Sequence, residues 1–290
     1  TISSNTITLV GAGAVTVRAT QPGDLTYDPA APVDQSFTVI PAPDGQVFAD
    51  TFARPLNPGS LFPWVALQGS WAITNEVLQG SSPAGSYGYA YLNNSWTNYS
   101  VEGQVRLSST GGWGGGIGGR LNPLTGAHYG AWIYPAGSPG GSNVLKLIKF
   151  SGWTTWSGTP MAEIAIPDVG TNWHTLKLEF LTNQIAIYCD GVPVINATDN
   201  NFEGQSAYLS GGISADMYTS PDAPYMLSFD NVVVKVLRPV LAVTANDANR
   251  PYGTPNPSFT GSIIGLQPGD NISATYSAAA GTNSPAGAYS

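Results

Sequence analysis

The sequence predicts an all-β chain built around a two-sheet sandwich, and three observations carry that expectation. Over 290 residues only 10% are charged, while Gly (35), Pro (23) and aromatic residues (11%) are plentiful, a composition that favours turns and strands over helices. From residue 46 to about 237, short segments with alternating side chains follow one another, separated by Gly, Pro, Asn and Ser. That is the pattern of consecutive antiparallel strands with one face buried. No window of useful length has the helical period, so this many strands must bury their apolar faces sheet against sheet.

Residues 1–45 carry Thr6-Ile7-Thr8-Leu9-Val10, a Gly11-Ala12-Gly13 turn, Ala14-Val15-Thr16-Val17-Arg18-Ala19 and, after a loop, Gln35-Ser36-Phe37-Thr38-Val39. The β-branched alternation predicts two or three strands, too few to bury both sides of a sandwich. Pro41-Ala42-Pro43-Asp44-Gly45 reads as a linker. Strands are then expected at 47–52, 64–67, 71–74, 77–79, 87–92, 99–107, 114–121, 127–134, 144–150, 161–166, 173–180, 184–188, 192–196, 208–213 and 226–236. The stretch 101–150 lies in the middle and is expected to form the central sheet, with any function on its open face. After Arg238-Pro239 the chain changes character again, so the expected division is 1–45, 46–238 and 239–290.

Lys and Arg total 10 against 18 Asp and Glu, a net charge of −8. So acidic a chain lacks the basic footprint that phosphate-backbone binding requires, and nucleic acid is not expected as a partner. The single cysteine, Cys189, can make neither an internal disulfide nor a cysteine metal cluster and reads as an inert thiol. No apolar run approaches the roughly 20 residues that span a bilayer. His128 and His174, the two histidines, lack metal-ligand spacing.

On the strand 114–121 the even positions are Gly114, Gly116, Gly118 and Arg120, with Ile117 and Leu121 on the other face. Side-chain-free positions on one face predict a shallow trough with the Arg120 fork at its end. On the next strand His128 alternates with Gly130, Trp132 and Tyr134, while Trp113, Trp153 and Trp156 occupy adjoining loops. Apolar sugar faces stack on aromatic rings and sugar hydroxyls bond polar side chains, so these residues form a candidate glycan cleft. The alternative is that the glycines relieve crowding in a curved sheet and the tryptophans cap its edges.

The opening Phe48-Ala49-Asp50-Thr51-Phe52-Ala53-Arg54, with Trp64, Gly69-Ser70-Trp71, Leu78-Gln79-Gly80, Trp173-His174-Thr175, Tyr188-Cys189-Asp190-Gly191 and the closing Phe229-Asp230-Asn231-Val232-Val233-Val234, resembles a concanavalin A-like lectin/glucanase domain of the laminin-G-like type. The phrase from Gly11 to Val39 resembles the last strands of a bacterial immunoglobulin-like repeat. Leu241-Ala242-Val243-Thr244-Ala245-Asn246-Asp247, with Tyr252-Gly253, is similar to the start of an MBG domain. Together these resemblances imply a jelly-roll sandwich flanked by partial immunoglobulin-like β-sandwich segments, part of a long multidomain surface protein, secreted or at the cell surface.

The resemblance also implies that His174 is structural and that a calcium ion ties the first strand to the last through Asp50 and Asp230; the alternative is that both aspartates cap turns or bond backbone amides. It is strong for fold and weak for function, since such jelly rolls host binding modules, glycosidases and lyases alike. Glycosidases of this fold carry a Glu-x-Asp-x-Glu pattern, which the sequence lacks, as it does the histidine motif of an alginate lyase. The expected function is therefore a noncatalytic module binding an extracellular glycan or other cell-surface ligand. A second reading is a fibre segment whose immunoglobulin-like ends pair with neighbouring copies of the chain. A polysaccharide-active hydrolase or lyase comes third and would need acids from separate strands, such as Glu102 and Asp216.

Overall fold

The computed structural model describes the backbone of residues 2–3 and 6–7 and, in full, residues 13–40, 44–83, 85–219, 225–237, 241–266 and 270–289. The expected turn residues Gly11 and Ala12 lie outside them. In chain order the strands are β1 (Ile2–Ser3), β2 (Thr6–Ile7), β3 (Gly13–Gln21), β4 (Ala30–Val39), β5 (Gln46–Asp50), β6 (Val65–Gln68), β7 (Ser70–Thr74), β8 (Val77–Ser81), β9 (Ser86–Trp96), β10 (Tyr99–Leu107) and β11 (Gly115–Leu121). They continue with β12 (His128–Tyr134), β13 (Val144–Gly152), β14 (Thr155–Trp156), β15 (Ala162–Ala165), β16 (His174–Leu181), β17 (Gln184–Cys189), β18 (Val192–Thr198), β19 (Gly211–Thr219), β20 (Leu227–Val236), β21 (Ala242–Ala245) and β22 (Gly261–Ile264). The protein is all-β, and it divides into two compact units, Thr1–Leu237 and Arg238–Ser290.

In the larger unit two eight-stranded sheets form a sandwich. The back sheet runs β18-β17-β16-β10-β20-β8-β7 with β5 on β20, and the front sheet runs β14-β13-β12-β11-β19-β9-β6 with β15 on β13. The pleat decides what each strand buries. Odd-numbered residues of the front sheet (Ile117, Ala131, Ile133, Leu145, Leu147, Ala215, Met217) join Val101, Val105, Leu176, Leu178, Phe180 and Val234 of the back sheet in one core. Even-numbered residues of β12 and β13, Trp132, Tyr134, Ile148 and Phe150, form a separate cluster on the outer face of the front sheet; in β9 the parity is reversed, with Tyr89 opposite Asp216 and Ala90 in the core.

The stretch 101–150 is not one sheet: β10 pairs with β16 and β20 in the back sheet, while β11, β12 and β13 lie in the front one. The strand expected at 208–213 instead runs over Gly211–Thr219. Asp216 disfavours a strand by propensity, but hydrogen-bonded neighbours on both edges, β11 and β9, impose one.

Two polar ties fix the end of the sandwich next to Arg120. The buried Tyr99 hydroxyl of the back sheet donates to the Gly212 carbonyl at 2.9 Å and accepts from the Arg120 amide at 2.6 Å, joining the layers. Lys149 is buried with its Nζ 2.6 Å from Asp199 Oδ2, and it also donates to the carbonyls of Gln205 and Ser206. The Tyr129 hydroxyl donates to the same Asp199 oxygen at 2.6 Å. Burial alone would raise the Asp199 carboxyl, but Lys149, the Phe202 amide and Tyr129 together hold it below the usual carboxylate range.

In β3–β4 the strands pair from Gly13↔Val39 to Gln21↔Ala30, with Arg18 bidentate on Asp34. The smaller unit pairs β21 with β22. Its Arg250 guanidinium gathers Asn256 Oδ1 and the carbonyls of Gly281 and Thr282.

A folded-state pKa below the unfolded one gives stability that is complete above the ordinary carboxylate range and lost as the pH falls through the lower value. Asp199→Asn leaves the Lys149 ammonium buried without its counter-charge, so it is expected to cost about 3 kcal/mol at pH 7. In denaturant melts the gap to wild type should close between about pH 5 and pH 2; a gap independent of pH would contradict the ion pair.

Candidate functional site

The outer face of the front sheet is organised around bare backbone. Side chains on β12 and β19 are separated by the width of two strand spacings, about 9.6 Å, and meet only if β11 between them carries nothing. Gly116 pairs with Trp132 on one side and Asp216 on the other, and across it the Trp132 indole N–H donates to Asp216 Oδ2 at 3.3 Å. Over Gly118 the His128 ring reaches the same oxygen, Nε2 to Oδ2 3.2 Å. A Cβ on Gly118 would lie 2.1 Å from Ser214 Oγ and 2.7 Å from Asp216 Oδ2. The expected trough therefore exists in the backbone, but neighbouring strands fill it.

His128 and Asp216 are fully buried. The His128 ring stacks on Phe150 at 4.4 Å and 4°, and its Nδ1 lies 2.7 Å from the Gly126 carbonyl. A carbonyl only accepts, so Nδ1 carries a proton, and a second proton must lie between Nε2 and Asp216, on either partner. The pair is net neutral in both cases. Because Nδ1 is committed to Gly126 rather than to Ser214, the three residues do not form a nucleophile–base relay. Three buried atoms in this cluster have no hydrogen-bond partner among the described residues: Tyr89 Oη, Ser214 Oγ and Asp216 Oδ1. Burial pushes the Tyr89 phenol far up, with Asp216 adding to the effect.

Around this cluster runs a chain of rings: Trp113–Tyr218 5.5 Å, Tyr218–Tyr87 4.8 Å, Tyr87–Tyr89 5.8 Å, Tyr89–Trp153 5.1 Å and Trp153–Tyr91 5.6 Å. Tyr89 is buried and the others are half-buried. Trp156, also half-buried, lies 6.4 Å from Phe150, and Trp132 lies 6.3 Å from Tyr134.

All but one of the expected ligand residues thus share this face: Trp113, His128, Trp132, Tyr134, Trp153 and Trp156. Within the set, His128, Trp132 and Tyr134 are buried and the other three tryptophans remain half-exposed, Trp113 and Trp153 in loops and Trp156 not in a loop as expected but on the short strand β14, paired with Phe150. Arg120 is the exception. A bulge between Gly119 and Leu121 places Arg120 at φ 52°, which turns its side chain away from the trough. Its guanidinium lies 4.9 Å over the Phe180 ring and donates to the carbonyls of Tyr208 and Thr97. Tyr87, Tyr89, Tyr91 and Tyr218 were not among the expected residues; the available signal was the alternation of Tyr87, Tyr89 and Tyr91 along β9, whereas Tyr218 is the single tyrosine of β19.

Asp50 does not fit calcium. Its Oδ1 accepts from the Phe52 amide and Arg54 Nη1, and its Oδ2 from Arg54 Nη2 and the Trp64 indole, all at 2.7–3.0 Å. The guanidinium already supplies the positive charge, and no lone pair is left for a metal. Among the described residues no three His, Cys, Asp or Glu side chains are grouped to hold one. Asp230 has its carboxyl raised, first by burial and then by Glu76 and Asp50.

His174 is structural, with Nδ1 2.7 Å from Asp190 Oδ2 and Nε2 3.0 Å from the Val169 carbonyl. Burial pushes the Cys189 thiol up to about 11, consistent with an inert residue. Two surface clefts lie elsewhere, one of about 400 Å³ beside Arg54, Asn57 and Glu76 and one of about 480 Å³ beside Glu102, Lys177 and Tyr188. No unpartnered buried polar atom lines either cleft.

The architecture is that of the two-sheet jelly rolls. A Bacillus subtilis protein of unknown function with a galectin-like fold superposes with TM-score 0.51 at 10% identity, covering 66% of this chain and 96% of that one. The laminarinase catalytic domain of Thermotoga maritima gives 0.50 at 10% identity, covering 67% and 98%. A structure described with endo-acting O-glycanases of the human gut microbiota that initiate mucin breakdown gives 0.50 at 14%, covering 67% and 100%. Residues 241–290 match the MBG domain (YGX type). No curated protein matches the chain.

An ionised acid with a raised folded-state pKa destabilises the fold above that pKa and ceases to when protonated. Asp230→Asn should therefore raise the melting temperature at pH 7 and leave it unchanged at pH 3. A chelator is expected to leave the wild-type midpoint where it is, and a fall on chelation would show that the Asp50–Arg54 pair opens to a metal.

Proposed function

We propose that the chain is a noncatalytic carbohydrate-binding module of a secreted or surface protein, holding a glycan along the outer face of the front sheet. The observation that carries this reading is the ring chain from Trp113 through Tyr218, Tyr87, Tyr89 and Trp153 to Tyr91, continuous at 4.8–5.8 Å and half-exposed at every ring except Tyr89. Flat aromatic faces at successive positions match the apolar faces of successive sugar units, with hydroxyls left for polar groups. Two of the structural neighbours bear descriptions of enzymes acting on glycans, and the fold is compatible with such ligands.

Carboxylate spacing argues for binding rather than hydrolysis. Reading across the paired positions Asp216, Gly116, Trp132, Lys146 and Glu163, Asp216 and Glu163 are four strands apart. That is about 19 Å, where glycosidases hold their two acids about 5–9.5 Å apart. Glu102, considered as a partner for Asp216, is exposed on β10 of the back sheet. Among the described residues no helix is long and apolar enough to cross a membrane.

Wild type is expected to bind oligosaccharides on a glycan array. Trp113→Ala and Trp156→Ala should each weaken binding about tenfold, the equivalent of roughly 1.4 kcal/mol of stacking. Unchanged affinity in both, with loss in Trp173→Ala near the back-sheet residue Arg106, would move the site to the other sheet.

A further inference from the structure

The outer face holds more than a stacking surface, because three buried polar atoms beneath it have no partner among the described residues. Tyr89 and Asp216 are directly paired across β9 and β19, and Ser214 is two residues away on the same side of β19. The residues are 0%, 0% and 2% exposed, and Tyr89 Oη, Asp216 Oδ1 and Ser214 Oγ are all unbonded. A buried polar atom without a hydrogen bond costs free energy, and three on neighbouring strands of one sheet face point to a guest that completes them. Trp153 packs beside them, 5.1 Å from Tyr89 and 6.4 Å from His128. It stands at the two-residue tip of the β13–β14 hairpin, where Gly152 pairs with Thr155, and it is half-exposed. A hairpin tip is the part of this enclosure that moves at least cost.

Resting on the carbohydrate-binding reading, we propose that Tyr89, Ser214 and Asp216 form a covered subsite beneath Trp153 that takes the hydroxyls of one uncharged sugar unit. The chemistry selects the ligand class. A phenol and a serine hydroxyl each donate and accept, and the free Asp216 oxygen accepts, which is the complement of adjacent sugar hydroxyls. The His128–Asp216 pair is net neutral, so the subsite has no surplus charge to hold an amino sugar. Nor does it offer a free cation for a uronate or sulfate: Arg120 is turned to the carbonyls of Tyr208 and Thr97. Lys146, in the row of Trp132 and Asp216, pairs with Glu163 at 2.8 Å. Neutral hexose or deoxyhexose units are therefore admitted and charged ones excluded.

Tyr89→Phe and Ser214→Ala remove atoms that bond nothing among the described residues, so both variants should melt no lower than wild type. The probes are panels of neutral oligosaccharides (β-glucans, mannans, fructans, galactans) and of charged ones (uronans, sulfated glycans, chitosan), with affinity read by calorimetry. The expected result is binding to at least one neutral ligand, weakened about tenfold in each variant, and no binding to charged ligands. Neutral binding that falls in Trp113→Ala but is unchanged in Tyr89→Phe and Ser214→Ala would overturn the subsite while leaving the face as the binding surface. Preference for charged ligands would likewise overturn it. Absence of binding to any glycan in either panel would overturn both the subsite and the carbohydrate-binding reading.

Discussion

The candidate site depends on one constraint: β11 presents bare backbone at Gly116 and Gly118 between two strands whose side chains need to touch. In an antiparallel sheet, second-neighbour strands are too far apart for ordinary contacts. Removing the side chains between them lets His128 and Trp132 of β12 converge on one oxygen of Asp216 in β19. The same bare stretch leaves no space for change, since a Cβ at Gly118 would collide with Ser214 and Asp216. The glycines thus make room for a buried polar cluster that a strand of ordinary side chains would forbid.

Burial on both faces of the front sheet follows. The inner face packs on the back sheet, and the tie from Tyr99 to Gly212 and Arg120 sets the separation of the layers at that end. The outer face is covered by its own aromatic layer, in which Phe150 stacks on His128 and Tyr87 contacts Trp132, Phe150 and Tyr218. Binding on such a face needs exposed ring edges and faces, which the half-buried Trp113, Trp153, Trp156, Tyr87, Tyr91 and Tyr218 supply around the buried His128–Asp216 cluster. The loop from Asp199 to Tyr208, held by Lys149 and Tyr129, in turn places the carbonyl that occupies Arg120.

Most of the fold was legible because alternation and turn residues are local signals: Asp190-Gly191 adopts the positive-φ pair that a tight hairpin needs. The full length of β19 was missed although Ile213, Ala215 and Met217 alternate with Ser214 and Asp216, because Asp216 disfavours a strand by propensity and is held in one by its neighbours on both edges. Period two put His128, Trp132 and Tyr134 on one face correctly. The same rule failed at Arg120, where a left-handed backbone in a bulge reverses the side chain without any sequence mark. Calcium at Asp50 was an expectation from resemblance, and the competing cation, Arg54, lies four residues further along the chain. Non-local pairing also explains why the unpartnered trio was invisible: Tyr89 and Asp216 are far apart in sequence and adjacent only in the sheet.

The central claim, that the ring-lined outer face of the front sheet is where a glycan sits, is tested most directly by following the eight tryptophan indole N–H resonances during titration with a bound oligosaccharide. The account predicts shifts at Trp113, Trp153 and Trp156, with Trp64, Trp71 and Trp173 unmoved. Shifts confined to Trp173, or to Trp64 beside Asp50, would contradict it.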